Sequence, residues 1–164
     1  MIDSIDFGIT QAAVANEALN PKTPEVHDLE KILRGEVSAV EAFRQVLEKY
    51  RDYQHVNDLR RIQFDHERAV DFWKNQLRTQ ESLVEESSGP WGTVVETFVG
   101  AAKLLGDGPT LRALKDGEEH GLKEYRELLE ADHLNEECVS FVKSVCLNLQ
   151  RQHIFTLESL IRHS

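Results

Sequence analysis

Along most of this chain, apolar residues return every three or four positions, and no stretch shows the strict apolar–polar alternation of a strand. Thr23 and Pro24 read as a helix start, a hydroxyl cap followed by proline in the first helical position. From there to about Asp52, Leu29, Ile32, Leu33, Val40, Phe43, Leu47 and Tyr50 fall on one stripe. After a break near "DYQHVND", with Asn57 or Asp58 as cap, a second helix runs to about Glu81 on Leu59, Ile62, Val70, Trp73 and Leu77. The segment "EESSGPWG" (85–92) has loop composition. "TVVETFVGAAKLLG" then predicts a short apolar helix that stops at Gly106. Pro109 opens a third long helix, roughly 109–131. Asn135 caps the last, about 136–162, with Val142, Val145, Leu149 and Leu160 inward. Four long amphipathic helices joined by mostly short loops bury their stripes best as an antiparallel four-helix bundle. The predicted organisation is an N-terminal arm over 1–22 and an all-α bundle over 23–164, with one extra short helix.

The chain also repeats itself. With a shift of 82, "LEKILRGEVSAVEAFRQVLE" (29–48) lies over "LRALKDGEEHGLKEYRELLE" (111–130). Leu29, Gly35, Glu36, Arg44, Leu47 and Glu48 meet Leu111, Gly117, Glu118, Arg126, Leu129 and Glu130, and Phe43 meets Tyr125. The partner helices align more faintly with a shift of 83, Arg68 on Arg151, Phe72 on Phe155 and Leu77 on Leu160. Two hairpins with one Gly-Glu signature imply a pseudo-two-fold bundle, with Glu36 and Glu118 at one level of its core.

Each long helix then offers one polar residue on its apolar stripe: Glu36, His66, Glu118 and His153. A carboxylate in a dry core is costly unless it is paired, protonated or bound to metal. In the ferritin-like plan, two helices each give a Glu and the other two each give Glu-x-x-His, and the set holds two iron or manganese ions. Glu36 and Glu118 fit the single-Glu positions. The other two helices, aligned with each other, offer "ERAV" (Glu67 to Val70) and "QRQH" (Gln150 to His153), so neither carries Glu-x-x-His. A full two-metal centre would need Asp65 or His66 from a shifted register. The candidate metal ligands are Glu36, His66, Glu67, Glu118 and His153, with iron or manganese as the cofactor. The competing expectation is a structural layer, in which Glu36 and Glu118 accept hydrogen bonds from His66, His153 or Tyr125 and fix the helix register. Gly117 and Gly121 would let a neighbouring helix come close to Glu118. His120, two positions on, points away to solvent.

Composition narrows the function classes. A formal net charge of −10 disfavours nucleic acid and anionic membrane surfaces, which call for basic patches. The start has no basic n-region and no long apolar run, so no signal peptide or membrane span is expected and the cytoplasm is the expected location. Cys138 and Cys146 are eight residues apart, about 12 Å on one helix, too far for a disulfide. "GAAKLLGDGPT" lacks the Gly-Lys-Ser/Thr of a phosphate loop. The polar arm is expected to be pinned by the body or by a second copy of the chain, which makes a homo-oligomer the partner expectation.

The repeated Gly-Glu helices, the middle "GPWGTVVETFVGAAKLLGDGPTLRALKDGEEHGLKEY" and the ending "RQHIFTLESL" resemble a bacterial ferritin-like family of unknown function. Its members are small four-helix bundles built as two hairpins, and the resemblance covers residues ~25–162. It implies the fold and brings no activity with it. Two functional readings follow: a structural or interaction protein without a full di-iron centre, and a metal-binding oxidase or metal-handling protein with a non-standard site.

Overall fold

The computed structural model describes residues 22–49, 55–80 and 106–163. The arm and the short apolar helix expected before Gly106 lie outside the described residues. Among the described residues the chain is helical apart from the helix ends and the turn over 129–135, with no strand.

Helix α1 spans Pro24–Lys49. Thr23 starts it as expected: its Oγ1 accepts from the Val26 N–H at 3.3 Å and its carbonyl from His27 at 3.1 Å. Helix α2 spans Val56–Thr79 and begins two or three residues earlier than the sequence implied. His55 takes the cap position, and Asp58 falls inside the first turn, where a carboxylate suits the helix dipole. Helix α3 spans Asp107–Leu128 and likewise starts early. Gly106 precedes it with φ of +105°, a left-handed backbone that glycine adopts freely. Pro109 is the third helical residue, still in the first turn where a missing N–H costs nothing.

The fourth rod comes in three parts. Asn135 caps it, its side chain accepting from the Cys138 N–H at 2.9 Å. Helix α4 (Glu136–Phe141) is followed by a π-helical turn (Val142–Cys146) and then by α5 (Leu147–Arg162). Of the residues expected inward, Val142 and Leu160 are buried, while Val145 and Leu149 are only half-buried. The π turn is the reason. The buried positions of α2 run Leu59, Ile62, His66, Ala69, Trp73, and those of the fourth rod run Val142, Cys146, Gln150, His153, Leu157. The two series keep the same spacing except at the first step, three residues in α2 and four across the π turn. One added residue rotates everything after it.

The core has two apolar clusters. One holds Leu29 and Leu33 from the start of α1, Trp73 and Leu77 from the end of α2, Tyr125 and Leu128 from the end of α3, and Cys138 and Val142 from the start of the fourth rod. The other holds Phe43 and Val46, Leu59 and Ile62, Leu111 and Leu114, and Leu157 and Leu160, from the opposite ends of the same rods. So α1 and the fourth rod run one way, and α2 and α3 run the other. Helix α1 packs on α2 and α3, and the fourth rod packs on α3 and α2, so every neighbouring pair is antiparallel. Gln80 and Gly106 lie at opposite ends of the bundle. Repeat-equivalent residues fall in opposite clusters, Leu29 against Leu111 and Phe43 against Tyr125, the placement a pseudo-two-fold bundle implies. Each fully buried Leu or Phe contributes ~1.5–3 kcal/mol.

No helix among the described residues is long and apolar enough to cross a membrane. Both cysteines are buried and unpaired. Phe64 and Phe155 are the exposed large hydrophobics of the described surface.

Candidate functional site

Between the two clusters lies a polar layer. Glu36 comes from α1, His66 from α2, Glu118 and Tyr125 from α3, and Gln150 and His153 from α5; all six are buried. His66 sits at the centre. Its Nδ1 is 2.7 Å from Glu36 Oε2 and its Nε2 is 2.8 Å from Glu118 Oε1. A carboxylate only accepts, so both contacts are hydrogen bonds when the ring carries both protons, as an imidazolium.

Each carboxylate has further partners. The Tyr125 hydroxyl donates to Glu36 Oε1 at 2.5 Å, and Trp73 Nε1–H donates to Tyr125 Oη at 3.1 Å. On the other side, His153 Nδ1 is 3.1 Å from Glu118 Oε2, and its Nε2 is 3.3 Å from Asp65 Oδ2. With its amide nitrogen turned inward, Gln150 donates to Glu118 Oε2 at 2.5 Å and to the Glu118 carbonyl at 3.2 Å. A Cβ on Gly121 would lie 3.0 Å from the Gln150 side chain, so the bare backbone makes room for that amide. Gly117 differs from expectation: a Cβ there meets nothing within 4 Å.

The electrostatics follow from this packing. Burial disfavours charge on His66, but the carboxylates of Glu118 and Glu36 outweigh it and hold its pKa well above the usual 6.5. Burial alone would raise Glu118; the imidazolium of His66 and the hydrogen bond from His153 reverse that and bring it from 4.5 to about 2. Burial, and then the Glu36 charge, raise Tyr125 well above 10, so it stays a phenol. Burial pushes the Cys138 thiol up to about 11 and Cys146 up to about 12, so neither is a thiolate nucleophile near neutrality.

Four of the five candidate ligands are brought together: Glu36, His66, Glu118 and His153. Glu67 is not. It is exposed, because the position after His66 lies 100° further round α2. The buried spacing also corrects the alignment of the two helices. Glu67 and Val70 are not the counterparts of Gln150 and His153; His66 and Ala69 are. Asp65, held in reserve by the sequence reading, reaches His153. His120 is exposed, as expected, with Nε2 3.4 Å from a Glu124 oxygen. Trp73 does more than fill the core, since its N–H orders Tyr125; a buried indole needs such an acceptor. The chain's one Glu-x-x-His spacing, Glu130 to His133, lies in the exposed turn after α3, where His133 Nε2 is 2.9 Å from Asp28.

In the corrected register the two Glu-x-x-His positions read His66/Ala69 and Gln150/His153. Both bridging carboxylates and one imidazole of the two-metal plan are replaced, so these residues do not fit two ions. A smaller donor set remains. One ligand atom each from His66, Glu118 and His153 lie within 4.8 Å of one another. Two imidazoles and a carboxylate are a set that suits one divalent iron, manganese or zinc ion.

A cavity of about 230 Å³ between α2 and the fourth rod opens onto the layer and is lined in part by Glu36, Asp65, His66, Tyr125 and His153. Searches against protein families, curated proteins and solved structures find no match for this chain.

Proposed function

We propose that this chain is a ferritin-like bundle acting as a structural or interaction protein, in which protonated His66 supplies the positive charge that metal supplies in the wider plan. The observation that carries this reading is the double contact of His66, 2.7 Å to Glu36 and 2.8 Å to Glu118. The two carboxylates are thereby compensated by a group inside the chain. A layer of fully partnered buried charges fixes how the helices align without any exchangeable ion. Elemental analysis of protein purified without chelator tests it. The expected content is below ~0.2 metal per chain, with no gain on anaerobic addition of iron or manganese. One tightly held ion per chain would overturn it.

The second reading is a single-ion metal protein, favoured by the closeness of the His66, Glu118 and His153 donors. A bound iron or manganese ion would supply Lewis acidity and one-electron redox chemistry there. His66 would first have to give up the proton it shares with Glu118. Binding would therefore compete with protons and strengthen as the pH rises. Titration with manganese at several pH values separates the readings: saturation at one ion, tightening with pH, supports the second.

A further inference from the structure

The cavity beside the polar layer has a polarity of its own. Its α2 wall runs from Asp65 through Arg68 and Ala69 to Phe72, about 10 Å of helix. At one end Asp65 Oδ2 faces His153 Nε2 at 3.3 Å. At the other end Phe72 stacks on Phe141 with centroids 3.7 Å apart. Ala69 keeps the middle open, and Val145 and Cys146 of the π turn form the facing wall. Turns of this kind recur at functional sites, because the added residue redirects side chains.

Asp65 and Arg68 both line this cavity. Three residues apart on one helix face, such a pair ordinarily closes on itself. No ion pair joins them among the described residues: Asp65 spends one oxygen on His153, and the Arg68 guanidinium has no described partner. Two opposite charges that do not pair with each other, on a slot whose other end is aromatic, are complementary to a zwitterion with an apolar tail. We propose that this cavity binds a free α-amino acid with an apolar side chain of leucine or phenylalanine size. Its ammonium group meets Asp65, its carboxylate meets the Arg68 fork, and its side chain lies toward Phe72 and Phe141. A volume of about 230 Å³ suits a ligand of about ten non-hydrogen atoms and is too small for a nucleotide. The inference goes beyond the structural reading above and stands whether or not the layer takes a metal.

Isothermal titration of the full chain with L-leucine tests it, against isopentylamine, which lacks the carboxylate, and 4-methylpentanoate, which lacks the amine. Leucine is expected to bind at least about tenfold tighter than either, since each lost charge-assisted bond costs about that factor. Arg68→Met, at an exposed position, should weaken leucine about tenfold and leave isopentylamine unchanged. Val145→Trp should fill the slot and abolish binding of all three. Equal affinity for leucine and either half-ligand would overturn the proposal. So would intact leucine binding in Arg68→Met, or no binding of leucine or phenylalanine up to about 10 mM.

Discussion

Glu36 and Glu118 occupy equivalent places in the two hairpins and live in different surroundings. Glu36 is held by Tyr125 and His66, and an indole N–H stands behind the tyrosine. At the place equivalent to Tyr125 the other half has Phe43, which offers Glu118 no hydroxyl and stacks on His66 instead, centroids 5.7 Å apart. Glu118 draws on α5 for compensation, from His153 and Gln150. One carboxylate is thus fixed by a neutral phenol and the other by a second imidazole and an amide. Similar backbone, repeated in one chain, carries two kinds of polar environment. What tells them apart is a handful of side chains beside the carboxylate, since the Gly-Glu pair is common to both.

The widest break in that comparison comes from removing what the halves share. His66→Leu leaves two buried carboxylates facing each other without a cation, and urea denaturation should show a loss of about 3–5 kcal/mol at neutral pH. The deficit should shrink as the pH falls and the stranded carboxyls take up protons. Next come the carboxylates themselves. A carboxyl held at about 2 instead of 4.5 represents roughly 3 kcal/mol, the expected cost of Glu118→Gln. Glu36→Gln keeps an acceptor for Tyr125 and should cost less, about 1–2 kcal/mol. Equal costs would mean that the two surroundings are energetically alike after all.

The pH dependence of the unaltered protein should have two arms. Glu118 ionises more readily folded than unfolded, so its contribution is complete above about pH 4.5 and is lost as the pH falls through about 2. His66 holds its proton more tightly folded, so its contribution is complete below pH 6.5 and is lost as the pH rises through its elevated folded value. Thermal melts from pH 2 to 10 should therefore show the layer's contribution at its fullest between about 4.5 and 6.5, falling away on both sides. Tyr125→Phe makes the Glu36 side resemble the Glu118 side and strands the Trp73 N–H; about 1–2 kcal/mol is expected. The glycines give the smallest effects, and of opposite sign. Gly117→Ala places a methyl in open space and should stabilise by about 0.5–1 kcal/mol, whereas Gly121→Ala presses on Gln150 and should gain nothing.

The helices, the repeat and the buried quartet of Glu36, His66, Glu118 and His153 were legible in the sequence, because a polar residue on an apolar stripe breaks a pattern that is otherwise regular. The pairing of the helices' registers was not. A π turn adds one residue without marking the apolar pattern, so the alignment that ignored it put Glu67 where His66 belongs. Tyr125 could be named as a donor from its position on the stripe. The Trp73 N–H behind it could not, since burial of the indole explains that tryptophan equally well. The cavity and the separated Asp65 and Arg68 had no sequence signal, because an i, i+3 pair of opposite charges ordinarily signals a closed surface ion pair. The two glycines beside Glu118 look alike in the chain, and only the position of Gln150 distinguishes them.

The single imidazole between the carboxylates also bears on symmetry. His66 lies between the two repeat-equivalent carboxylates, and the place equivalent to its own carries Gln150, which contacts Glu118. The arrangement uses two unlike halves, one with a histidine at the place where the other has Gln150. Carrying both hairpins in one polypeptide is what lets the two faces of the layer differ, and a single proton-bearing ring can then serve both carboxylates.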